Sequence, residues 1–274
     1  MKQIRLFARA ELALALRSRW THIFAAVFGV LSFAVAGAGY VLSGGHGVQD
    51  FARTAASLVQ LVLLLVPLTA LMIGVLSLTP ERGAAELMFS QPVARRTILL
   101  GKLLGLFQAL AAAQAVGFGA AGAVVYGQSG SEGLGGFMLL VAAALVTTAV
   151  FLGLAALLSV GTKGRTRALA LAVVVWFAAV VLCDLAALGL ASLLRSGTAS
   201  RVLMVSAIVN PVGAVRTATL LGIEGTGAFG AASLALFRFT KGTRGAGIVL
   251  GLSILFWLLV PLALAVHRLR KADI

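Results

Sequence analysis

The sequence predicts an all-α integral membrane protein with six transmembrane helices. Of its 274 residues, 61% are hydrophobic and only 11% are charged, and the mean hydropathy is +1.07. A soluble domain usually carries about 25% charged residues. The chain also contains six separate apolar runs, each reaching the length of about 20 residues that a helix needs to cross the hydrocarbon core.

The six crossings are expected to begin and end close to the charged or polar residues that flank each apolar run. The third is long enough to tilt or to begin outside the bilayer. The predicted crossings are 20–42, 55–78, 98–127, 136–160, 168–194 and 247–267.

Lysines and arginines divide unequally between the two sides of these crossings. With the N-terminus inside, 15 of the 22 fall on the inner side and 7 on the outer side. Short cytoplasmic loops carry such an excess in membrane proteins, so both termini are predicted to be cytoplasmic. The basic residues lie in clusters between apolar runs rather than along one face, and we therefore expect no nucleic acid partner.

Residues 1–19 mix apolar with basic side chains and are predicted to form an amphipathic elbow helix before the first crossing. Its basic flank suits a helix in the inner interface, against anionic lipid head groups. The segment is too long and too interrupted by charge for the start of a cleaved signal peptide. Membrane lipids are thus predicted partners.

The stretch 195–246 is too long for a structureless connection. It is apolar but interrupted at Asn210-Pro211 and at Gly225 and Gly227. We expect short helices that lie on the outer leaflet or re-enter it before the last crossing. Any non-helical backbone at that depth would have to be buried in protein.

Motifs for covalent chemistry or nucleotide binding are missing. The sequence has no G-x-x-x-x-G-K-[ST], H-E-x-x-H, C-x-x-C or G-x-S-x-G. Its single cysteine, Cys183, allows no disulfide within one chain. We predict that the chain is not an enzyme and that it holds no catalytic residue, cofactor or metal.

Asp184 is an acid inside the fifth predicted crossing. An intramembrane acid is a functional hypothesis by default, and the alternative is a hydrogen-bond acceptor near the outer interface. If Asp184 titrates or binds an ion, the chain could be a stand-alone secondary transporter or channel. Against this second function, the sequence shows no clear inverted repeat and only one such acid.

A charged segment at 79–97 interrupts the apolar pattern on the inner side. Acids after Pro80 favour the start of a short helix, and Pro92 would end it. Its apolar residues have no purpose in a solvated loop, which favours docking on a cytoplasmic partner. The predicted coupling residues are Glu81, Arg82, Glu86, Leu87, Phe89, Gln91, Arg95 and Arg96.

This segment, "ERGAAELMFSQPVARRTILLGKLLG", resembles the "E-R-x-x-G-T-L-E-L-L-L-S-x-P-V-S-R-x-x-I-L-L-G-K" stretch of ABC-2 type permeases. These are the membrane subunits of ATP-binding cassette transporters with a type V exporter-like fold. The resemblance departs from that stretch at Ala84-Ala85 and Phe89. It implies that a separate cytoplasmic ATPase subunit docks here and that the permease is a homodimer.

A narrower resemblance is to the permeases of the copper-processing system for nitrous oxide reductase. It is carried by "FARTAASLVQLVLLLVPLTALMIG", by "SQP" and by "NPVGAVRTATLLG", where Gly213 replaces the usual acid. This likeness implies a bacterial inner membrane and a periplasmic accessory protein. The ATPase would then drive either transport or movement of the periplasmic partner during maturation of the copper site.

Overall fold

A computed structural model describes residues 2–43, 48–79, 93–130, 133–162, 164–225, 231–240 and 242–271. All regular elements in these ranges are helices, and a π-helical turn, Ala178–Leu182, joins α6 to α7. The α-helices are α1 (Lys2–Leu16), α2 (Arg19–Ser43), α3 (Val48–Leu78), α4 (Arg95–Ser129), α5 (Leu134–Gly161), α6 (Arg165–Phe177), α7 (Cys183–Ser192), α8 (Ser196–Val209), α9 (Pro211–Glu224), α10 (Ala231–Thr240) and α11 (Thr243–Lys271).

Six helical segments of the described chain are long and apolar enough to cross a membrane, which confirms the predicted fold class. The largest difference between a predicted and an observed boundary is at the start of the last crossing. It begins at Thr243 rather than at 247, because α11 begins three positions after the last residue of α10. The segments are Arg19–Gly39, Thr54–Leu78, Arg95–Gly127, Leu134–Gly161, Arg165–Ser192 and Thr243–Arg270.

Helices α3, α4 and α5 form the centre of the bundle. In their most apolar stretches 50%, 44% and 56% of residues are buried, against 22% or less in α2, the α6–α7 crossing and α11. Leu71, Leu106 and Phe151 are among the large side chains fully enclosed there. The outer helices therefore keep apolar faces that a lipid tail or another protein chain can cover.

Helices α5 and α11 run in the same direction. Gly153 lies beside the Leu258 carbonyl and Leu262, and Gly161 lies beside Arg268, so both helices end at one face of the bundle. The α6–α7 crossing follows α5 and returns to the opposite face. Consequently α7 ends on the same side from which α11 starts.

Helices α8 and α9 lie between those two points and form a broken pair. Their axes change direction by 101° at Asn210, where α8 ends and Pro211 occupies the first turn of α9. Proline is tolerated there because its missing N–H would have no partner within the helix. Gly225, at a φ of 58°, follows the end of α9.

Candidate functional site: two polar junctions

Most of the predicted coupling segment lies outside the described residues. This holds for Glu81, Arg82, Glu86, Leu87, Phe89 and Gln91. Arg95 and Arg96, by contrast, open helix α4. The structure therefore describes the two helices that flank the segment, α3 and α4, and the contacts that they make.

Three polar side chains meet where α1, α3 and α4 converge, and we call Glu11, Ser77 and Lys102 the elbow junction. The Ser77 hydroxyl donates a hydrogen bond to Glu11 Oε1. Lys102 Nζ lies 3.5 Å from Glu11 Oε2 and donates to the Ser77 carbonyl oxygen at 2.9 Å. Glu11 is only 5% exposed, so its charge depends on these partners rather than on water.

Helix α1 rests against two glycines of α4, in the sequence Gly101-Lys-Leu-Leu-Gly105. A methyl group added to Gly101 would lie 2.5 Å from Phe7 Cβ, and one added to Gly105 would lie 2.5 Å from the Ala8 carbonyl oxygen. Glycines four residues apart let two helix backbones approach closely. The same approach places Lys102 within reach of Glu11.

Gly105→Ala is expected to displace α1 from α4, because the new methyl group would meet backbone and not a movable side-chain end. We expect a loss of about 1–3 kcal/mol, as for other overpacked sites, measured as thermal stability in detergent together with faster proteolysis within α1. Gly119→Ala is the matched control, since a methyl group at this α4 position has nothing within 4 Å. Equal stability of the two variants would contradict the close seating of α1.

At the opposite end of the bundle, Asp184 and Arg216 form an ion pair between α7 and α9, which we call the outer junction. Arg216 Nη1 donates to Asp184 Oδ2 at 2.6 Å and Nη2 donates to Oδ1 at 3.0 Å. This two-bond geometry is the strongest arrangement of an arginine and a carboxylate. The two side chains are 29% and 30% exposed.

Asn210 connects the break between α8 and α9 to the π-helical turn. Its Nδ2 donates to the Ala179 carbonyl oxygen at 2.6 Å, and its Oδ1 accepts from the Val212 N–H at 3.1 Å. A π-helical turn leaves a carbonyl without its usual helical partner. One amide side chain therefore satisfies both the start of α9 and the irregular backbone of the fifth crossing.

Helix α11 satisfies the end of α8 from the other side. The Ser253 hydroxyl donates to the Ile208 carbonyl oxygen, and Trp257 Nε1 donates to the Val209 carbonyl oxygen at 2.9 Å. The last carbonyls of a helix have no partner within it. The backbone at the break thus has partners from the last crossing and from the Asn210 side chain, as a low-dielectric environment requires.

Sequence reasoning identified Asp184 but missed its partner, and it missed the elbow junction entirely. Arg216 lies 32 positions away in sequence, beyond any local pattern. Glu11 is the single acid among the basic residues of the N-terminal segment, and that isolation was an available signal. No group of three or more possible metal ligands occurs in the described part of the chain.

These features define a multi-pass α-helical membrane protein in which polar side chains join neighbouring helices. The ABC-2 family transporter protein profile matches residues 6–274. The chain belongs to this family, the permeases of ABC transporters.

Two similar relatives carry the same description, "Probable ABC transporter permease protein NosY". The protein of Pseudomonas aeruginosa is 32% identical over 273 residues, which cover 97% of this chain and 98% of the relative. That of Stutzerimonas stutzeri is 33% identical over 280 residues, covering 99% of each. The similarity therefore extends over the whole permease and is not limited to the charged segment.

Proposed function

We propose that this chain is the membrane subunit of an ABC transporter complex that serves copper-site maturation of nitrous oxide reductase. A separate cytoplasmic ATPase subunit would hydrolyse ATP, and the permease would convert that cycle into transport or into movement of a periplasmic accessory protein. The observation that carries the proposal is the nearly full-length similarity to two NosY-type permeases. We expect a homodimer, whose second copy would cover part of the exposed outer helices.

The proposed orientation places both termini in the cytoplasm of a bacterium and the bundle in its inner membrane. Supporting this, 15 of the 22 lysines and arginines then lie on the cytoplasmic side. The elbow junction then lies toward the cytoplasmic side of the bundle and the outer junction toward its periplasmic side.

The elbow junction supports a coupling role for 79–97. Ser77 lies just before this segment and Lys102 just after it, and both contact Glu11 of α1. A displacement of the segment would therefore act on α1, α3 and α4 together rather than on one helix. Because packed helices have discrete arrangements, a small shift at such a contact can switch a larger unit.

The contacts of the break at Asn210 with the fifth and last crossings support a re-entrant role for α8 and α9. Ala179 contacts Asn210. It lies 11 residues beyond Ala168, the predicted start of the fifth crossing, which corresponds to about 16 Å at the helical rise. Trp257 contacts Val209. It lies 10 residues before His267, the predicted end of the last crossing, which corresponds to about 15 Å. Both distances equal about half of a 30 Å hydrocarbon core, so the break would reach mid-bilayer from the periplasmic side.

The experiment that tests the function is co-purification of the ATPase subunit with Leu87→Ala combined with Phe89→Ala. If these side chains fill an apolar pocket of the ATPase, their loss should cost about 2 kcal/mol or more, or at least about thirtyfold in affinity. Glu86→Lys should weaken association moderately, since charges at a rim chiefly orient the partner. Ser131→Ala, a substitution distant in sequence from the coupling segment, is the control.

Normal ATPase association and normal copper loading of the reductase in the double alanine variant would refute the docking role.

The geometry does not support the alternative function, a stand-alone transporter that uses Asp184. Both carboxylate oxygens of Asp184 accept hydrogen bonds from Arg216, so its charge is already compensated.

A further inference from the structure

Helix α1 turns one side toward the bundle, and the described residues leave its opposite side uncovered. Ala8, Glu11 and Ala15 face the bundle, where α1 packs on the glycines of α4. On the opposite side Leu6 is 68% exposed and Leu14 is 66% exposed. Large apolar side chains this exposed on a helix beside a membrane crossing require another apolar surface to cover them.

Three basic residues follow one line along the uncovered side, and we call Lys2, Arg5 and Arg9 the basic stripe. At about 100° per residue they fall within an arc of about 60° around the helix axis. The distance from the first to the last corresponds to about 10 Å along that axis. All three side chains are exposed, so the stripe is one continuous basic surface.

The described part of the chain does not compensate the positive charges of the basic stripe. None of the three side chains takes part in an ion pair or a hydrogen bond among the described residues. The acid of α1, Glu11, faces the bundle and is bound there by Ser77 and Lys102. The stripe therefore presents three free cations, and two of them are guanidinium groups that bind a phosphate through paired hydrogen bonds.

An apolar stripe lies beside the basic stripe on the same side of α1. It covers the next arc of about 100° around the axis and consists of Leu6, Ala10, Ala13 and Leu14, all exposed. Adjacent basic and apolar stripes are typical of a helix at the boundary between lipid head groups and acyl chains. The position of α1 agrees with that depth, because the first crossing, α2, begins three positions after α1 ends.

We propose that the outward side of α1 binds anionic phospholipids from the leaflet on the side of both termini. Their phosphate groups lie against the basic stripe, and their acyl chains lie against the apolar stripe. Lipid bound there holds α1 against α4 from the side opposite Glu11. The proposal rests on the charge and geometry of α1, and it needs neither the ATPase subunit nor a copper-related role.

The test introduces a fluorescent side chain into the apolar stripe with Leu6→Trp, in the full chain reconstituted in phosphatidylcholine nanodiscs. Brominated phosphatidylglycerol or, in a parallel series, brominated phosphatidylcholine replaces a rising fraction of the lipid, and bromine quenches tryptophan fluorescence on contact. Subtracting the signal of the unchanged chain removes the contributions of Trp20, Trp176 and Trp257. Because each basic residue near an anionic surface contributes about fivefold, we expect half-maximal quenching at a phosphatidylglycerol fraction lower by about tenfold or more.

Arg5→Gln combined with Arg9→Gln should remove most of this preference, whereas Arg5→Lys combined with Arg9→Lys keeps the charge and should retain most of it. All four substitutions change exposed side chains, so the fold should be unaffected. Arg268→Gln combined with Arg270→Gln is the matched control and should retain the preference. It removes the same charge from exposed positions at the end of α11, a helix that packs mainly on α5.

Equal quenching by the two lipids would overturn the proposal, as would a preference that survives neutralisation of Arg5 and Arg9. An equal loss of preference in the α11 control would assign the effect to general surface charge and not to the basic stripe, and would also overturn it. Absence of quenching by either lipid would show that a protein surface covers the outward side of α1, which would refute lipid binding there.

Discussion

Glu11→Leu is expected to cause the largest loss of stability among single substitutions in the elbow junction. It would leave the Lys102 ammonium, whose side chain is 17% exposed, without its carboxylate and next to an apolar side chain. Removing one partner of a buried ion pair typically costs about 3–5 kcal/mol, because the remaining charge is uncompensated. Here the Ser77 carbonyl still accepts a hydrogen bond from Lys102, which favours the lower end of that range.

The measurement is the midpoint of thermal unfolding in detergent, together with the folded yield after size-exclusion chromatography. Combining Glu11→Leu with Lys102→Met should restore most of the stability, since two apolar side chains replace the pair without an unpaired charge. If the single and double variants are equally unstable, the junction does not act through its charges. A stable double variant that binds the ATPase but no longer couples its cycle would show that the ion pair positions α1.

Arg216→Gln and Asp184→Asn are expected to be the next most damaging changes, each lowering stability by about 2 kcal/mol. Each leaves one charged group of a two-bond pair without its partner, and hydrogen bonds to charged groups contribute about 1.5–3 kcal/mol. The roughly 30% exposure of both side chains keeps the loss below that of a fully buried pair. Arg201→Gln, which removes a charge from an exposed position of α8, is the control.

A double-mutant cycle measures the pair directly. With both substitutions present the loss should be clearly smaller than the sum of the single losses, with a coupling of about 1–2 kcal/mol for groups in contact. Strict additivity would mean that Asp184 and Arg216 do not stabilise the contact between α7 and α9. Loss of transport-coupled activity in a well-folded double variant would instead assign the pair a part in the working cycle.

The crossings could be predicted from the sequence because each apolar run carries its own length signal. The loss of that signal at Asn210-Pro211 similarly marked the break between α8 and α9. Contacts between distant segments had no such signal. Arg216 belongs to a different helix from Asp184, and the attachment of α1 depends on Gly101 and Gly105 of α4, whose role is visible only once the backbones are placed.

The N-terminal segment is a second case in which contacts with a distant helix could not be predicted from the sequence. Its buried face consists of Ala8, Glu11 and Ala15, whereas Leu6 and Leu14 are more than half exposed. A search for an apolar stripe therefore finds the wrong face, because close packing against glycine selects small side chains. The π-helical turn is likewise invisible in "AAVVL", since nothing in that composition distinguishes it from ordinary helix.

The π-helical turn determines in which direction around the helix axis the residues after it, including Asp184, point in the fifth crossing. It inserts one residue relative to a regular α-helix, and each residue of an α-helix turns the chain by about 100°. Rewinding 178–182 into regular helix would therefore carry Asp184 about 100° around the axis, away from the Arg216 guanidinium, and would withdraw the Ala179 carbonyl from Asn210. Gain or loss of a single residue of winding in this crossing would thus be geometrically equivalent to making or breaking the outer junction.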